Sequence, residues 1–299
     1  MKGNKTKYNR SSSIGFVLTL PILLWLLLFF VYPFLSTIYL SFTDQKLFGS
    51  PYQFIGLANY FKLFQDQDFL LALWRSFVWT VGSVVVELVL ALGAALLLNT
   101  EFPGRNFFRI WIILPWAIPY SVIAVIARWM LSSTFGIVNI LLSQLGLTNQ
   151  TINFLGDANI ALYTSMGVNI WKWFPFIAVT LLASLQSVDE SLIDAARIDG
   201  CNVFQRFRYV LFPHMRVTIS VTALLMTFWN FNTFGLIWLL TTGGPSDATT
   251  TLPVLAYKTA FQSFRMGRAS SLSVIMLLLL LVFAVAYRRL SAKNENAME

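Results

Sequence analysis

The stretch DAARIDGCNVFQRFRYVLFP, residues Asp194–Pro213, separates two long apolar runs of the chain. It combines mixed charge, two adjacent alanines, an Asp-Gly pair, two phenylalanines among basic residues and a final proline. A connecting loop needs only solubility, so this much patterning in a short loop favours a docking surface. The alternative is an amphipathic helix pair that lies at the membrane interface without a partner. The residues alone leave both interpretations open.

The composition is that of a membrane protein. Of 299 residues, 57% are hydrophobic and 11% are charged, and the mean hydropathy is +0.68. Soluble domains carry about 25% charged residues, so this chain is suited to a lipid bilayer. Its net charge of +8 lies largely beside the apolar runs, where basic residues set orientation rather than bind nucleic acid. With one cysteine, Cys201, and one histidine, His214, we expect neither disulfides nor a metal site.

The apolar runs predict an all-α integral membrane protein with six transmembrane helices. A spanning helix needs about 20 mostly apolar residues. Six runs qualify: Ile14–Phe42, Leu73–Leu98, Phe107–Leu131, Ile160–Leu185, Val217–Leu240 and Ser270–Tyr287. Pro21 and Pro33 lie in the overlong first run and favour a kink there, and Pro115 and Pro119 should bend the third span.

The distribution of basic residues predicts the orientation. The segment 1–13 has four Lys or Arg and no acid, whereas the loop 132–159 has no Lys or Arg. Basic residues also lie in the Asp194–Pro213 stretch and near the C-terminus, so both termini and this stretch are expected in the cytoplasm. The predicted organisation is a cytoplasmic segment 1–13, a first span with its outer loop 14–72, a core 73–290 of five spans containing the loop 187–213, and a polar cytoplasmic tail 291–299.

The loop 187–213, called the elbow below, predicts two short helices. Ser187 and Glu190 fit a capping box for a helix over Val188–Ile198. Gly200 follows where a left-handed C-terminal cap is needed. A second helix, capped by Asn202 with Gln205, runs through Leu211, and Pro213 then marks the entry to the next span.

The surface of the elbow has small, charged and aromatic positions. Ala195 and Ala196 give the first helix a face without bulk that allows close approach. Asp194 and Asp199 flank this face with charge. Phe204 and Phe207 are expected to form an apolar pair that packs beneath it.

At these residues the chain resembles the permeases of binding-protein-dependent ABC importers. Their signature is an acid-Ala-Ala group, a glycine after three more residues, and a Leu-Pro ending. The match comprises Asp194-Ala195-Ala196, Gly200, Val210 and Pro213, with aspartate for the usual glutamate, Cys201 for alanine and Phe212 for leucine. Four further stretches are similar to maltose-type and glycerol-phosphate-type first permeases: Pro33–Asp44, Phe54–Phe64, Ile113–Val122 and Leu240–Phe261.

The resemblance implies the transmembrane domain of a type I importer in the bacterial cell membrane. It implies a second permease subunit, favouring a heterodimer, two cytoplasmic ATPase subunits and an extracytoplasmic solute-binding protein. The cargo would be an oligosaccharide or sugar derivative. The elbow would be the coupling helix, which docks in the ATPase subunit. The resemblance assigns contact with the ATPase subunit to the following residues of the elbow: Asp194, Ala195, Ala196, Asp199, Gly200, Phe204, Phe207 and Pro213.

The sequence has no Gly-x-x-x-x-Gly-Lys-[Ser/Thr] phosphate loop. We therefore expect a non-catalytic subunit without its own cofactor, with ATP and Mg²⁺ bound by the partner ATPase subunits. A membrane-embedded enzyme would need clustered catalytic side chains, which one histidine and few intramembrane acids do not supply. An ion-coupled secondary transporter is the alternative function, but it leaves the patterned elbow unexplained and no inverted repeat is seen.

Two ionisable residues lie within predicted spans, Glu87 in the second and Lys172 in the fourth. Such residues are costly in lipid and are usually paired or functional. Their similar depth suggests a Glu87–Lys172 contact between helices. In the alternative, each faces polar groups or water separately.

The fifth run contains Trp229-Asn230-Phe231-Asn232, a combination suited to stacking on a sugar and bonding its hydroxyls. Asn230 and Asn232 are about 200° apart on a helix, so at most one can face a given cavity. The other is expected to join helices, and helix packing by both is the alternative. Asn169 and Trp171 in the fourth span form a similar candidate.

Overall fold

The computed structural model describes residues 18–47 and 49–296, with side chains through residue 289. The predicted segment 1–13 and the predicted start of the first span at Ile14 lie outside the described residues. The chain divides into two compact units, one formed by residues 1–66 and 256–278 and the other by residues 67–255 and 279–299.

The regular structure of the described residues is helical, apart from one isolated bridge between Thr43 and Phe54. We number the helices in chain order. The first six are α1 Leu18–Leu40, α2 Ala58–Phe64, α3 Gln67–Asn99, α4 Arg105–Ala117, α5 Tyr120–Met130 and α6 Ile137–Gln144. They are followed by α7 Ala161–Gln186, α8 Glu190–Ile198, α9 Val203–Phe231, α10 Gly235–Thr241, α11 Leu252–Tyr257 and α12 Met266–Asn296.

The six predicted spans are recovered, with corrected boundaries. Among the described residues, α1, α3, α7, α9 and α12 are each long and apolar enough to cross a membrane, and α4 with α5 forms a sixth, bent span. The fifth span covers Val203–Phe231 instead of the predicted Val217–Leu240. The last helix continues to Asn296, so much of the tail predicted as 291–299 is helical.

The third span is broken where its prolines predict a bend. α4 and α5 meet at 97°. Ile118, between them, has an extended backbone with ψ 133°, and Pro119 precedes the first turn of α5. A proline ring disfavours the helical conformation in the residue before it, and at Ile118 the backbone leaves that region, so α4 ends there. The predicted bend is confirmed.

Among the prolines that lie inside continuous spans, Pro33 and Pro213 are each preceded by a widened helical turn. A π-turn covers Leu27–Val31 before Pro33, and another covers Phe207–Leu211 before Pro213. A proline cannot donate the usual helical hydrogen bond, and its ring crowds the carbonyl one turn earlier. A π-turn, which closes i→i+5 bonds, relieves this conflict locally. The predicted end of the second elbow helix at Leu211 is therefore wrong, because the helix widens there and continues past Pro213.

In the first unit, loop carbonyls satisfy the free N–H groups at the start of α12. The N–H of Met266 donates to Lys46 O at 3.2 Å and that of Gly267 to Gln45 O at 2.8 Å. A side chain at Gly267 would collide with the carbonyl of Thr43, so the loop passes too close for any other residue. Arg268 forms an ion pair with Asp66 in the same unit.

In the second unit, α3, α7 and α9 form the main core. Small residues of α3, Ala91 and Ala95, are fully buried against Ile177 and Leu181 of α7 and Met226 of α9. Toward its start, α3 approaches α7 closely at Gly82, where an added Cβ would lie 2.9 Å from the Met166 sulfur. Small residues at such contacts are how membrane helices approach one another. This core holds the polar side chains described next.

Candidate functional site

The elbow begins with a helix cap that differs from the predicted one. Ser187 directly follows the last residue of α7 and caps its end, and its hydroxyl donates to Ser184 O at 2.8 Å. The residue that caps α8 is Asp189, whose Oδ1 accepts the N–H of Ser191 at 2.9 Å. This backbone bond holds the pKa of the Asp189 carboxyl below its usual range. The predicted Ser187–Glu190 box is wrong, because α7 ends later than expected and Ser187 terminates it.

The turn between the two elbow helices is a Schellman motif. Gly200 has φ +78°, which confirms the predicted left-handed cap. Its N–H donates to Arg197 O at 3.1 Å, and the N–H of Cys201 donates to Ala196 O at 3.0 Å. These two bonds satisfy carbonyls that the end of α8 would otherwise leave free. The turn direction is therefore set by a position that favours glycine.

The second predicted cap is confirmed in full. Asn202 Oδ1 accepts the N–H of Gln205 at 2.9 Å, and Gln205 Oε1 accepts the N–H of Asn202 at 2.8 Å. Such reciprocal bonds fix the first turn of α9. Both sides of the Gly200 turn are thus held by local hydrogen bonds.

The elbow presents apolar side chains on its outside. Leu192 is 55% exposed, Ile198 87%, and Val203 and Phe204 73% each. The expected Phe204–Phe207 pair is not formed, because Phe204 points outward while Phe207 packs on Phe212 with ring centroids 5.9 Å apart.

Of the two adjacent alanines of α8, only Ala195 is exposed, whereas Ala196 is buried. The flat alanine face is therefore narrower than predicted. Asp194 accepts a hydrogen bond from Arg197 at 2.9 Å, and both side chains are about 60% exposed. Asp199 is also exposed.

A buried polar cluster joins three spans of the second unit. Glu87 of α3 is fully buried, and its two carboxylate oxygens accept the side-chain N–H groups of Asn169 at 3.2 Å and Asn230 at 2.9 Å. Asn169 also donates to Asn230 Oδ1 at 2.6 Å. We call these three residues the polar core. Trp79 donates its indole N–H to the backbone carbonyl of Asn230 at 3.2 Å.

The polar core and Lys172 have separate partners. The Lys172 ammonium donates to Ile118 O at 2.6 Å and Trp116 O at 2.9 Å. It also lies 4.9 Å from the Tyr120 ring centroid. The expected Glu87–Lys172 contact is wrong in this structure. The Pro119 break frees carbonyls at the end of α4, and these carbonyls, together with the negative end of the helix dipole, attract the ammonium instead.

Replacing Lys172 with methionine is expected to destabilise the bend of the third span. The change removes two charge-assisted hydrogen bonds, so we expect the free energy of unfolding to fall by about 2–4 kcal/mol. Thermal unfolding of the detergent-solubilised protein would measure this loss. Lys62→Met, at an exposed position, is the matched control and should leave the midpoint unchanged. An unchanged midpoint in Lys172→Met would mean that the bend is held by other contacts.

An aromatic cluster lies on α4, α7 and α9. The ring of Trp229 lies 5.0 Å from Trp173 and 5.8 Å from Phe176, and Phe176 stacks on Trp116 at 5.4 Å. Trp229 remains 41% exposed. Trp173 also donates to the hydroxyl of Tyr120 at 2.8 Å.

The two asparagines of the fifth span face different surroundings, as their spacing predicts. Asn230 is 2% exposed within the polar core, while Asn232 is exposed and donates to Phe228 O at 2.9 Å. Asn169 is fully buried, whereas Trp171 is 46% exposed. Sequence reasoning did not identify Trp116, Tyr120 or Phe176, because aromatic residues are common throughout this chain. The sequence signal that could have identified Trp116 and Tyr120 is their position directly after Pro115 and Pro119, within a predicted span.

Comparison with known proteins identifies the family. Residues 87–296 match the sequence profile described as "Binding-protein-dependent transport system inner membrane component". The chain is 31% identical over 284 residues to the trehalose/maltose transport system permease protein MalF of Thermococcus litoralis, covering 95% of each chain. It is 32% identical to the sulfoquinovosyl glycerol transport system permease protein SmoG of Agrobacterium fabrum over 278 residues, covering 93% of this chain and 90% of that protein.

A solved structure supports the fold. A chain of a bacterial ABC transporter involved in the import of the acidic polysaccharide alginate superposes with a TM-score of 0.83 at 22% identity, covering 97% of this chain and 99% of that one. The predicted architecture, a multi-pass transmembrane domain of an ABC importer, is confirmed. The chain belongs to the family of binding-protein-dependent transport system inner membrane components.

Proposed function

We propose that the chain is one of two permease subunits of an ATP-driven importer for an oligosaccharide or sugar derivative. An extracytoplasmic solute-binding protein delivers the cargo, and two ATPase subunits that hold ATP and Mg²⁺ drive the cycle. The chain itself performs no catalysis and binds no cofactor. Both termini and the elbow face the cytoplasm, as the basic residues at the ends and in the elbow favour. The relatives named for sugar transport support the cargo class.

The elbow is the proposed docking element, and its exposed apolar surface is the observation that carries this proposal. Ile198, Val203 and Phe204 are each at least 73% exposed around a turn that is fixed on both sides. Large apolar side chains this exposed on the polar, charge-mixed elbow favour a protein contact. A rigid turn can also transmit force, because its position changes with the helices that carry it.

Co-purification tests the docking role. The tagged chain, isolated from its native membrane, should bring down an ATPase subunit and a second permease. Ala195→Arg places a bulky charge on the exposed side of α8 and should remove the ATPase subunit but keep the second permease. Ala158→Arg changes another exposed alanine, in the loop before α7, and should keep both. Retention of the ATPase subunit by Ala195→Arg would contradict docking through this face.

The aromatic cluster is the proposed contact surface for cargo. Of the candidates from the sequence, Trp229 is part of this cluster and partly exposed, whereas Asn169 and Asn230 bond within the polar core. Asn232 and Trp171 are exposed away from the core. We assign sugar stacking to Trp229 and helix joining to Asn169 and Asn230. Trp229→Ala should raise the solute concentration needed for half-maximal transport. Trp229→Tyr keeps an aromatic ring and should leave this concentration close to that of the unchanged protein. Equal transport by both variants and the unchanged protein would exclude stacking.

A further inference from the structure

A layer of buried oxygens between α3 and α7 has unmet hydrogen-bonding capacity. The hydroxyls of Thr80, Ser83 and Ser165 and the carbonyl oxygen of Asn169 are buried, and among the described residues none of these four atoms has a hydrogen-bond partner. Their side chains are 5% exposed or less. Hydroxyls on membrane helices ordinarily bond to a carbonyl one turn earlier, and an unsatisfied buried polar atom costs free energy. Four such atoms in one interface indicate that a small ligand binds between the two helices.

The helix geometry brings these oxygens to one layer. Thr80, Ser83 and Glu87 are at spacings i, i+3 and i+7 and share one face of α3. Ser165 and Asn169 are four residues apart and share one face of α7. Gly82 meets Met166, and Glu87 bonds to Asn169, so the two helices run parallel in this register. Ser83 is therefore level with Ser165, within one turn of Glu87.

The layer also contains an uncompensated carboxylate. Glu87 is fully buried, and its hydrogen-bond partners are the neutral amides of Asn169 and Asn230. A buried charge needs a counter-charge or a proton. Lys172 is bound to carbonyls of the broken third span, and it forms no ion pair with Glu87 among the described residues. A small cation would compensate the negative charge of Glu87. It would also give the unpartnered neutral oxygens a positive ion to coordinate.

We propose that a monovalent cation binds between α3 and α7, with Glu87 as its anionic ligand and the oxygens of Ser83, Ser165 and Asn169 as neutral ligands. One carboxylate with neutral oxygens suits Na⁺ better than a divalent ion, which prefers several carboxylates. Consistent with this, the described residues contain no group of three or more His, Cys, Asp or Glu side chains that could hold a metal ion. The site stabilises the packing of two spans and does not depend on the identity of the solute.

Salt-dependent unfolding of the assembled transporter tests this site. The thermal midpoint would be measured in detergent at constant ionic strength, with NaCl, KCl or choline chloride. We expect a saturable rise of several degrees in NaCl over choline chloride, because a ligand that binds only the folded state stabilises it. An equal rise in KCl would also support a monovalent site.

Two variants separate the site from a general salt effect. Ser83→Ala and Ser165→Ala each remove one oxygen without adding bulk, so they should keep the midpoint in choline chloride and lose the rise in NaCl. Ser273→Ala is the matched control, because its hydroxyl already bonds to Ala269 O at 3.1 Å, and it should keep the rise. Equal midpoints in NaCl and choline chloride, which water or a proton on Glu87 would produce, would overturn the proposal. So would a full Na⁺ response in both Ser83→Ala and Ser165→Ala.

Discussion

Gly200→Pro is expected to reduce ATP-driven transport at least about tenfold. Proline holds φ near −65° and cannot adopt the +78° of Gly200. It also removes the N–H that donates to Arg197 O. These two defects together cost on the order of 3 kcal/mol or more, which exceeds the 1.4 kcal/mol that corresponds to a factor of ten. The turn must therefore refold, and the two elbow helices lose their relative direction. Solute uptake by proteoliposomes that contain the complete transporter would measure the loss.

A second Schellman turn in the same chain provides the matched control. Gly146, at the end of α6, has φ +67°, its N–H donates to Ser143 O at 3.0 Å, and the next N–H donates to Leu142 O at 2.9 Å. Gly146→Pro thus introduces the same local defect in a loop outside the elbow. It should retain co-purification of the ATPase subunit, which Gly200→Pro should lose. Equal retention by both variants would mean that the geometry of the elbow turn does not determine docking.

The elements that sequence patterns predicted correctly are those fixed by neighbours along the chain. The Asn202–Gln205 box and the left-handed Gly200 involve atoms within a few residues, and both are present. The bend near Pro119 follows from a clash with the residue directly before it. Hydropathy identified the six spans because each must cross the same apolar thickness.

The incorrect predictions concern the rotation of helices and partners far away in sequence. The depth of Glu87 and Lys172 was predictable, but depth does not specify which way a side chain points. Their partners include an amide 143 residues from Glu87 and carbonyls more than 50 residues from Lys172. Those carbonyls became available only because the third span breaks. The fifth span was misplaced for a related reason, since a π-turn lets Pro213 remain inside a continuous helix.

Replacing Glu87 with leucine is expected to cause a large loss of stability. The amide groups of Asn169 and Asn230 would lose their common acceptor while remaining buried. Interhelical bonds in membranes are individually weak, but an orphaned Asn230 amide and an Asn169 amide that keeps only its bond to Asn230 cost about 2–4 kcal/mol together. Since domains are typically stable by only 5–15 kcal/mol, the amount of assembled transporter should fall markedly. Size-exclusion chromatography and the thermal unfolding midpoint would measure both effects.

Glu87→Gln separates the need for a hydrogen-bond acceptor from the need for charge. Glutamine keeps the shape and one acceptor oxygen. The Asn169 amide can turn to accept from the new NH₂ group, because its own carbonyl oxygen has no hydrogen-bond partner. In choline chloride we therefore expect a stability loss of about 1 kcal/mol or less. In NaCl the loss should be larger, because the neutral glutamine also removes the charge that binds the proposed cation. Equal losses in the two salts would contradict the cation site.

The triple variant with leucine at Glu87, Asn169 and Asn230 decides what the polar core is for. Removing every member of the polar core leaves none of its own groups orphaned, so stability should recover toward that of the unchanged protein. If the core only joins three spans, transport should recover together with stability. If the core must change its bonds as the spans move, a stable transporter without activity is expected, because three leucines pack without the directional bonds that distinguish one helix arrangement from another. A triple variant less stable than Glu87→Leu would contradict the assignment of the loss to unsatisfied amides.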